Sequence, residues 1–441
     1  MEAIVRDITL DGEGLVAVGG RELVVPGALP GDAVRLDPAG GPPAVVRRAR
    51  RPEGSPCPHR SCPGCPLLAL PYPEQLELKG RLAKRLLSRH LSPEGLSTLL
   101  PVRPSPRPLG YRASAKLAVA RHRRGIALGL YRRGTHAVVD IPRCPVHRPL
   151  LARGVRALRA LLARAPALAA PGPGARGWLR YAAFQESGAR NTLVVTLVTH
   201  SGDRPEILQG LAARLREGLP ELQGVAWNVN PSPGNEIFGE EWREVWGTCR
   251  LLERLGDVDL EVSPGSFLQV NREQAGWAYR TALAWLDPQP GEAAADLYCG
   301  VGSLALHLAA RAGRVVGIEG SPGAVADARR NAEACGAGAV EFRAGRVEES
   351  FPALLAEGFR PQLVTLNPAR KGVAPEGIEA IRAASPRAVT YLSCHPETLG
   401  RDAAALCAGG AYALERLQPA DFFPHTGHVE TLALFRRREA G

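Results

Sequence analysis

The sequence predicts an α/β protein in three parts: a C-terminal doubly wound, Rossmann-like domain, a central α+β domain, and a small N-terminal OB-like β-barrel. Three observations carry this. From about residue 277, short apolar strands alternate with helical stretches, the pattern of a parallel sheet covered on both faces. Before it, an arginine-rich stretch mixes strands with isolated helical segments. The first fifty residues hold short strands separated by Gly-, Pro- and Asp-rich turns, which suits a small five-stranded barrel of the kind that binds oligonucleotides. The predicted boundaries are 1–52, 53–262 and 263–441.

In the N-terminal part, AIVRDITL, GLVAVGG, RELVVPG and DAVRLDP read as the strands. An irregular Pro- and Cys-rich segment, 52–73, follows. A helix is expected over about 73–90, with Leu76, Leu82, Leu86 and Leu87 on one side. In the central part, YRASAKLAVA, IALGLYRR and HAVVDIP read as strands, 148–164 as a helix, 171–174 as a Pro/Gly loop, and NTLVVTLVT and LQGVAWNVN as further strands. In the C-terminal part, AADLYCG, VVGIEG, AVEFRAG, LVTLNPA and AVTYLSC are the strands.

The net charge is +11 over 441 residues. It is concentrated: between Arg103 and Arg190 there are 18 Lys and Arg against two acids, Asp140 and Glu186. Such a local excess is the footprint of a polyphosphate partner, and nucleic-acid binding is expected. With only four lysines in the chain, coding bias explains the preference for arginine but not the missing acids. No apolar run reaches the roughly 20 residues a membrane span requires. The N-terminus, MEAIVRDITLDGEG, lacks the apolar core of a secretory signal. A cytoplasmic protein, off the membrane and monomeric, is expected.

Nine cysteines, an odd number unevenly spaced, argue against a disulfide framework. Cys57, Cys62 and Cys65 share one loop and Cys144 lies far along the chain. Zinc sites more often come as two C-x2-C pairs. Three ligands in one loop with a remote fourth favour a 4Fe–4S cluster, while His59 could join a zinc site.

Asp296-Leu-Tyr-Cys-Gly300-Val-Gly302-Ser303 closes a strand and opens a helix. Gly300 and Gly302 allow close backbone approach to a ligand, and helix N-terminal amides attract an anionic group. Glu319 ends the next strand, where an acid can bind ribose hydroxyls. NAD and S-adenosylmethionine both fit these features; the absence of a third dinucleotide glycine favours S-adenosylmethionine.

Two C-terminal segments carry reactive groups: Ser393-Cys394-His395-Pro396, at a strand end, and His425-Thr-Gly-His428-Val-Glu430, before the last strand. A thiolate at a strand end of such a sheet faces the ligand crevice. Addition of sulfur to C6 of a pyrimidine makes C5 enolate-like and able to accept a methyl group. A base, for which Glu430 is the candidate, then removes the C5 proton.

These segments together resemble the RNA uridine-C5 methyltransferase family that carries an N-terminal TRAM domain and an iron–sulfur cluster. The resemblance runs nearly end to end: VPGALPGD, the four cysteines, SFLQVN at 266–271, DLYCGVG, SCHPETL and DFFPHTGHVE. NPAR and FPHTGHVE look closest to the branch acting on 23S ribosomal RNA, so ribosomal rather than transfer RNA is implied. The resemblance implies Cys394 as nucleophile, Glu430 as base, Gln269, Tyr298 and Glu319 as S-adenosylmethionine ligands, Phe267 beside the target base, and Cys57, Cys62, Cys65 and Cys144 around a 4Fe–4S cluster.

The chain departs from the pattern at Asn367, where Asp is usual, and at Ser303 and Arg346, which stand near the cofactor where Asn, or Asn and Asp, are frequent. These departures motivate a second reading, an RNA-binding protein with a degenerate methyltransferase domain. A third reading, an amino-methyltransferase, follows from Asn367-Pro368; but Ala369 and Arg370 stand where such enzymes place Pro and an aromatic.

Overall fold

The computed structural model describes residues 2–37, 41–49, 56–59, 61–122, 125–169, 177–234 and 236–438. The chain divides into two compact units, each discontinuous in sequence. The first comprises Met1–Ser55, Cys65–Pro108 and Glu273–Gly441; the second comprises Pro56–Gly64 and Leu109–Arg272. They therefore run across the linear boundaries at 52 and 262.

In the first unit, the N-terminal strands form two three-stranded antiparallel sheets in place of a single five-stranded barrel. One contains Glu2–Ile4, Ala33–Arg35 and Ala44–Arg47, the other Asp7–Ile8, Gly14–Val18 and Arg21–Val25. Val5, Val16, Val25, Ala28, Val34 and Leu36 pack between them. The buried Asp32 carboxylate accepts from the amides of Leu29 (3.0 Å) and Ala49 (2.9 Å) and from Arg48 (2.9 Å). Its burial is thus offset by charge-assisted hydrogen bonds.

The expected helix is present as Tyr72–Leu87, with proline in its first turn, where the missing N–H costs nothing. Its buried face differs from the leucine stripe read from sequence. Gln75, Leu78, Lys79, Leu82 and Leu86 are buried and Leu76 only half so. Leu78, Leu82 and Leu86 pack with Ile8, Leu29, Leu67 and Leu70. Two polar residues at i and i+4 within this stripe demand buried partners, which the C-terminal region supplies, as described below.

The C-terminal sheet contains β1 (Ala293–Leu297), β2 (Arg314–Glu319), β3 (Val340–Ala344), β4 (Leu363–Leu366), β5 (Ala388–Ser393), β6 (Tyr412–Ala420) and β7 (Glu430–Arg437). Its order is β3-β2-β1-β4-β5-β7-β6. The first five strands are parallel, and β7 is antiparallel, inserted between β5 and β6. The strands are short and almost wholly buried, as expected when helices cover both faces. The strand order reverses between β1 and β4, the switch point at which such sheets hold ligands. This sheet has the doubly wound, Rossmann-like α/β architecture expected from the alternating pattern.

The second unit is built on a seven-stranded sheet, in the order Glu241–Gly247, Leu222–Val229, Thr192–Thr199, Leu179–Ser187, Ser114–His122, Gly125–Tyr131, Val138–Asp140. Helices Pro149–Leu162 and Pro205–Gly218 pack with it around Leu151, Leu158, Phe184, Leu197, Leu208 and Leu215. A hairpin, Leu251–Leu255 with Val258–Val262, completes it. The 171–174 loop expected from sequence lies outside the described residues. No helix among the described residues is long and apolar enough to cross a membrane.

Candidate active site

The carboxyl ends of β1, β2, β4 and β5 converge in the first unit. After β1 the backbone turns sharply: Tyr298, Gly300 and Gly302 have φ of 63°, 56° and 84°. A tyrosine in the left-handed region is strained, so the surrounding contacts must hold it there. A Cβ on Gly300 would meet nothing within 4 Å; glycine is needed there for conformation, and the space above the turn is open. At Gly302 a Cβ would lie 2.8 Å from the Phe342 ring, so that glycine also lets helix Ser303–Ala309 seat against β3. Ser303 is the buried first residue of this helix.

Glu319, at the end of β2, accepts from the Gly300 amide (3.0 Å) and the Ser321 amide (2.8 Å). Two backbone donors fix the carboxylate beside the turn and leave lone pairs for ligand hydroxyls. The Asn367 amide donates to the Leu297 carbonyl at 3.3 Å, which sets the end of β4 against that of β1. Arg346, after β3, is 65% exposed and ion-pairs with Glu348 and Glu349. The Tyr298 hydroxyl is pushed up to about 12, chiefly by burial and then by the charge of Glu348, with Arg346 opposing. Tyr298 and Arg346 are thus brought to one place.

Asp296, quoted in the motif but given no role by the sequence reading, lies under the turn and is 1% exposed. One oxygen accepts from Thr365 Oγ1 at 2.6 Å, and the Ala305 amide also favours the carboxylate. Burial raises its carboxyl to about 7. An acid inside the apolar run AAADL was the signal that could have marked it.

Cys394 follows β5 directly, and Glu430 opens β7. The last pair of that antiparallel ladder is Ser393 with Thr431, so Cys394 and Glu430 come next in register. Glu430 is 3% exposed and Cys394 half-buried. Burial pushes the Glu430 carboxyl up to about 8, with Arg370 pulling it down. Burial first, then the Glu430 charge, pushes the Cys394 thiol up to about 11, again with Arg370 opposing. Arg370 also contacts His428 Nε2 at 3.5 Å, and the Thr398 hydroxyl holds the Arg370 carbonyl at 3.1 Å. Arg370 is therefore the cation of this pair. In the sequence it stands out only as part of NPAR and as a residue that sets the segment apart from an amino-methyltransferase.

Two expected residues belong to the second unit. Gln269 is buried, and its carbonyl accepts from the Arg272 guanidinium. Arg272 in turn forms a buried ion pair with Glu253 at 3.3 Å. Phe267 is 68% exposed, a large apolar ring open to solvent.

Of the four expected metal ligands, Cys57, Cys62 and Cys144 lie in the second unit and Cys65 begins a segment of the first. All are half-buried. Cys62 interacts electrostatically with Cys144 and Cys57, and Cys144 with Cys57; burial chiefly raises the thiols of Cys62 and Cys144. Backbone amides of Gly64 on Cys62, and of Val146 and His147 on Cys144, favour thiolates. His59 Nε2 is engaged with the Arg143 carbonyl at 2.7 Å, which takes that nitrogen out of a zinc site. Among the described residues, however, no three His, Cys, Asp or Glu side chains come close enough to hold a metal. The donors suit a thiolate-bound metal, but as placed they form no closed ligand set.

The family model for tRNA (uracil-5-)-methyltransferase matches residues 257–438. An uncharacterised RNA methyltransferase of Geobacter sulfurreducens is 37% identical over 99% of this chain and 90% of its own length. Another, from Halalkalibacterium halodurans, is 31% identical over 98% and 96%. Among solved structures, the Pyrococcus abyssi tRNA (uracil-54, C5)-methyltransferase in complex with S-adenosyl-L-homocysteine aligns with a TM-score of 0.74 and 27% identity, covering 99% of this chain and 100% of that one. With this end-to-end likeness, and with the glycine turn and its acid at the switch point of a Rossmann-like sheet, the chain belongs to the RNA uracil-C5 methyltransferase family of S-adenosylmethionine-dependent enzymes.

Proposed function

We propose that the protein methylates C5 of a uridine in large-subunit ribosomal RNA, through a covalent bond between Cys394 and C6 of the base. The observation that carries this is the adjacency of Cys394 and Glu430 on the β5–β7 ladder, at the same sheet edge as the glycine turn. Cys394 loses its proton to solvent and its sulfur adds to C6, moving the C5–C6 electron pair onto C5 and O4. C5 takes the methyl group from the sulfonium of S-adenosylmethionine, releasing S-adenosylhomocysteine. Glu430 removes the C5 proton, the C5–C6 double bond re-forms, and the thiolate departs. Arg370 favours the anionic form of both residues. Tyr298, Gly300, Gly302, Ser303, Glu319 and Asn367 would hold the methyl donor with Gln269, and Phe267 would stack on the base.

The choice of ribosomal RNA rests on the NPAR and FPHTGHVE wording; the tRNA enzymes among its relatives make transfer RNA the rival acceptor. Mass spectrometry of nucleosides from both RNAs, after incubation with the donor and the purified protein, decides between them. Label in neither RNA, or undiminished activity of Cys394→Ala, overturns the reading. A degenerate domain fits less well: Arg346, the departure most hostile to a cationic donor, is already neutralised by Glu348 and Glu349.

We also propose that residues 1–52 act as a TRAM-like RNA-binding module and that Cys57, Cys62, Cys65 and Cys144 hold a 4Fe–4S cluster which fixes their loop. The cysteine spacing motivates the cluster, and the mutual electrostatic interactions of Cys57, Cys62 and Cys144 are in keeping with it. Iron and sulfide analysis of anaerobically purified protein tests it. Zinc, or no metal, would replace it.

A further inference from the structure

The nine residues between β6 and β7, 421–429, carry the chain into Glu430. Both ends of this loop are fixed, because Ala420 at the end of β6 is paired with Glu430 at the start of β7. Between them the loop is held from outside the catalytic sheet. Lys79 and Asp421 are both fully buried and meet at 2.5 Å. Lys79 Nζ also donates to the Phe423 carbonyl at 2.9 Å, and Tyr72 donates its hydroxyl hydrogen to the second Asp421 oxygen at 2.9 Å. Four residues before Lys79 on the same helical face, Gln75 Oε1 accepts from the His425 amide at 3.0 Å. Its Nε2 lies 3.2 Å from His425 Nδ1 and donates to the Leu70 carbonyl at 2.8 Å. The Leu67 amide donates to the His425 carbonyl at 3.0 Å. At Gly427 a Cβ would come within 2.6 Å of the Thr9 and Leu10 carbonyls.

Neither Lys79 nor Gln75 touches the reacting pair, and neither belongs to the motifs of the glycine turn or of the catalytic segments. A buried lysine loses hydration, and the hydrophobic contacts of this helix would be served as well by leucine there. What the pair gains is a fixed geometry for a loop of bulky and polar residues that has no regular structure of its own.

We propose that Lys79 and Gln75 are positioning residues for the general base: through Asp421, Phe423 and His425 they set the loop that aims Glu430 at the C5 proton. This rests on Glu430 being that base. Its signature is a defect confined to the last step. Addition of Cys394 and methyl transfer do not require the Glu430 carboxylate, whereas proton removal and release of the thiol do.

The experiment follows single turnovers on unmodified substrate RNA, with S-adenosylmethionine labelled in the methyl group. Denaturing gels separate label bound to protein through Cys394 from label in released RNA. Lys79→Met and Gln75→Leu are expected to build up the protein–RNA adduct while release of methylated RNA slows at least tenfold. Lys79→Met/Asp421→Leu, which removes both charges at similar volume, is expected to behave likewise. Lys79→Arg should recover part of the release rate. Glu430→Gln is the reference. If it accumulates adduct and the helix variants do not, or if they slow both steps by the same factor, the positioning role is overturned and the base stands. If Glu430→Gln accumulates none, the base assignment falls, and the positioning role with it. Should Lys79→Met not fold, Gln75→Leu, which removes the hydrogen bonds to His425 and Leu70 and creates no buried charge, decides the same question.

Discussion

Cys394 and Glu430 occupy facing positions just beyond the Ser393–Thr431 pair, on neighbouring strands that run in opposite directions. The antiparallel insertion of β7 is what makes this possible. In a purely parallel sheet, the start of a neighbouring strand would lie at the opposite edge from the end of β5. Here the beginning of one strand and the end of the other share an edge, so Cys394 and Glu430, 36 positions apart in sequence, come to neighbouring positions.

Both groups are held in their protonated forms by burial, with the thiol up to about 11 and the carboxyl up to about 8. Arg370 opposes both shifts. Removing it raises both values, so the ionised forms that the chemistry uses appear only at higher pH. Arg370→Gln is expected to move the rising limb of the single-turnover rate toward alkaline pH by roughly one unit or more, with smaller loss at high pH than at neutral. Rate–pH profiles of the two proteins check this; superimposable profiles would remove Arg370 from the mechanism.

Glu430 also ties stability to pH. Below its ordinary value of 4.5 the carboxyl is protonated in folded and unfolded chains alike, and burial costs nothing. Between 4.5 and about 8 the unfolded chain has released the proton while the folded one keeps it, so rising pH destabilises the fold. The slope from this single group is at most about 1.4 kcal/mol per pH unit. Glu430→Gln should therefore gain stability relative to the parent as pH rises through this window. Denaturant unfolding at both ends of it gives the difference. A constant difference contradicts the raised value.

Glu319 is fixed by two amides beside an open turn. Charge-assisted hydrogen bonds to ligand hydroxyls contribute roughly 1.5–3 kcal/mol, so Glu319→Ala is expected to weaken binding of S-adenosylmethionine by roughly 10- to 100-fold. Calorimetry with the donor alone, without RNA, measures this. Unchanged affinity would place the ribose elsewhere.

The excess of arginine between Arg103 and Arg190 should make RNA affinity fall steeply with salt. Each phosphate contact contributes roughly 0.7–0.9 to the slope of log affinity against log salt. Arg132 and Arg133 are exposed after strand Gly125–Tyr131. Arg132→Gln/Arg133→Gln is expected to lower that slope by roughly 1–2 and to leave donor binding intact. A flat salt response of the parent protein would remove this region from the RNA contact.

The parts of this fold that were readable from sequence are those in which a local pattern states its own purpose. Short apolar runs with glycine at their ends give the strands of the catalytic sheet, and a carboxylate at the end of β2 gives Glu319. Residues whose purpose lies across the chain were not readable. Nothing local in the sequence marks Lys79, because its partner Asp421 is 342 positions away. Arg370 lies in NPAR, whose wording speaks to family branch and says nothing of the Cys394 and Glu430 that it faces. The grouping of Pro56–Gly64 with Leu109–Arg272 leaves no periodic trace, and neither does the pairing of six short strands into two sheets instead of one barrel.

Helix Tyr72–Leu87 has a practical consequence for anyone cutting the chain. A fragment limited to residues 257–438, the span that matches the family model, would include every strand of the catalytic sheet and would look self-sufficient on paper. It would also contain Asp421 without its ammonium partner and His425 without the amide that receives its N–H. Catalytic competence is therefore not portable with the C-terminal segment; it is lent by a helix encoded about 170 residues upstream.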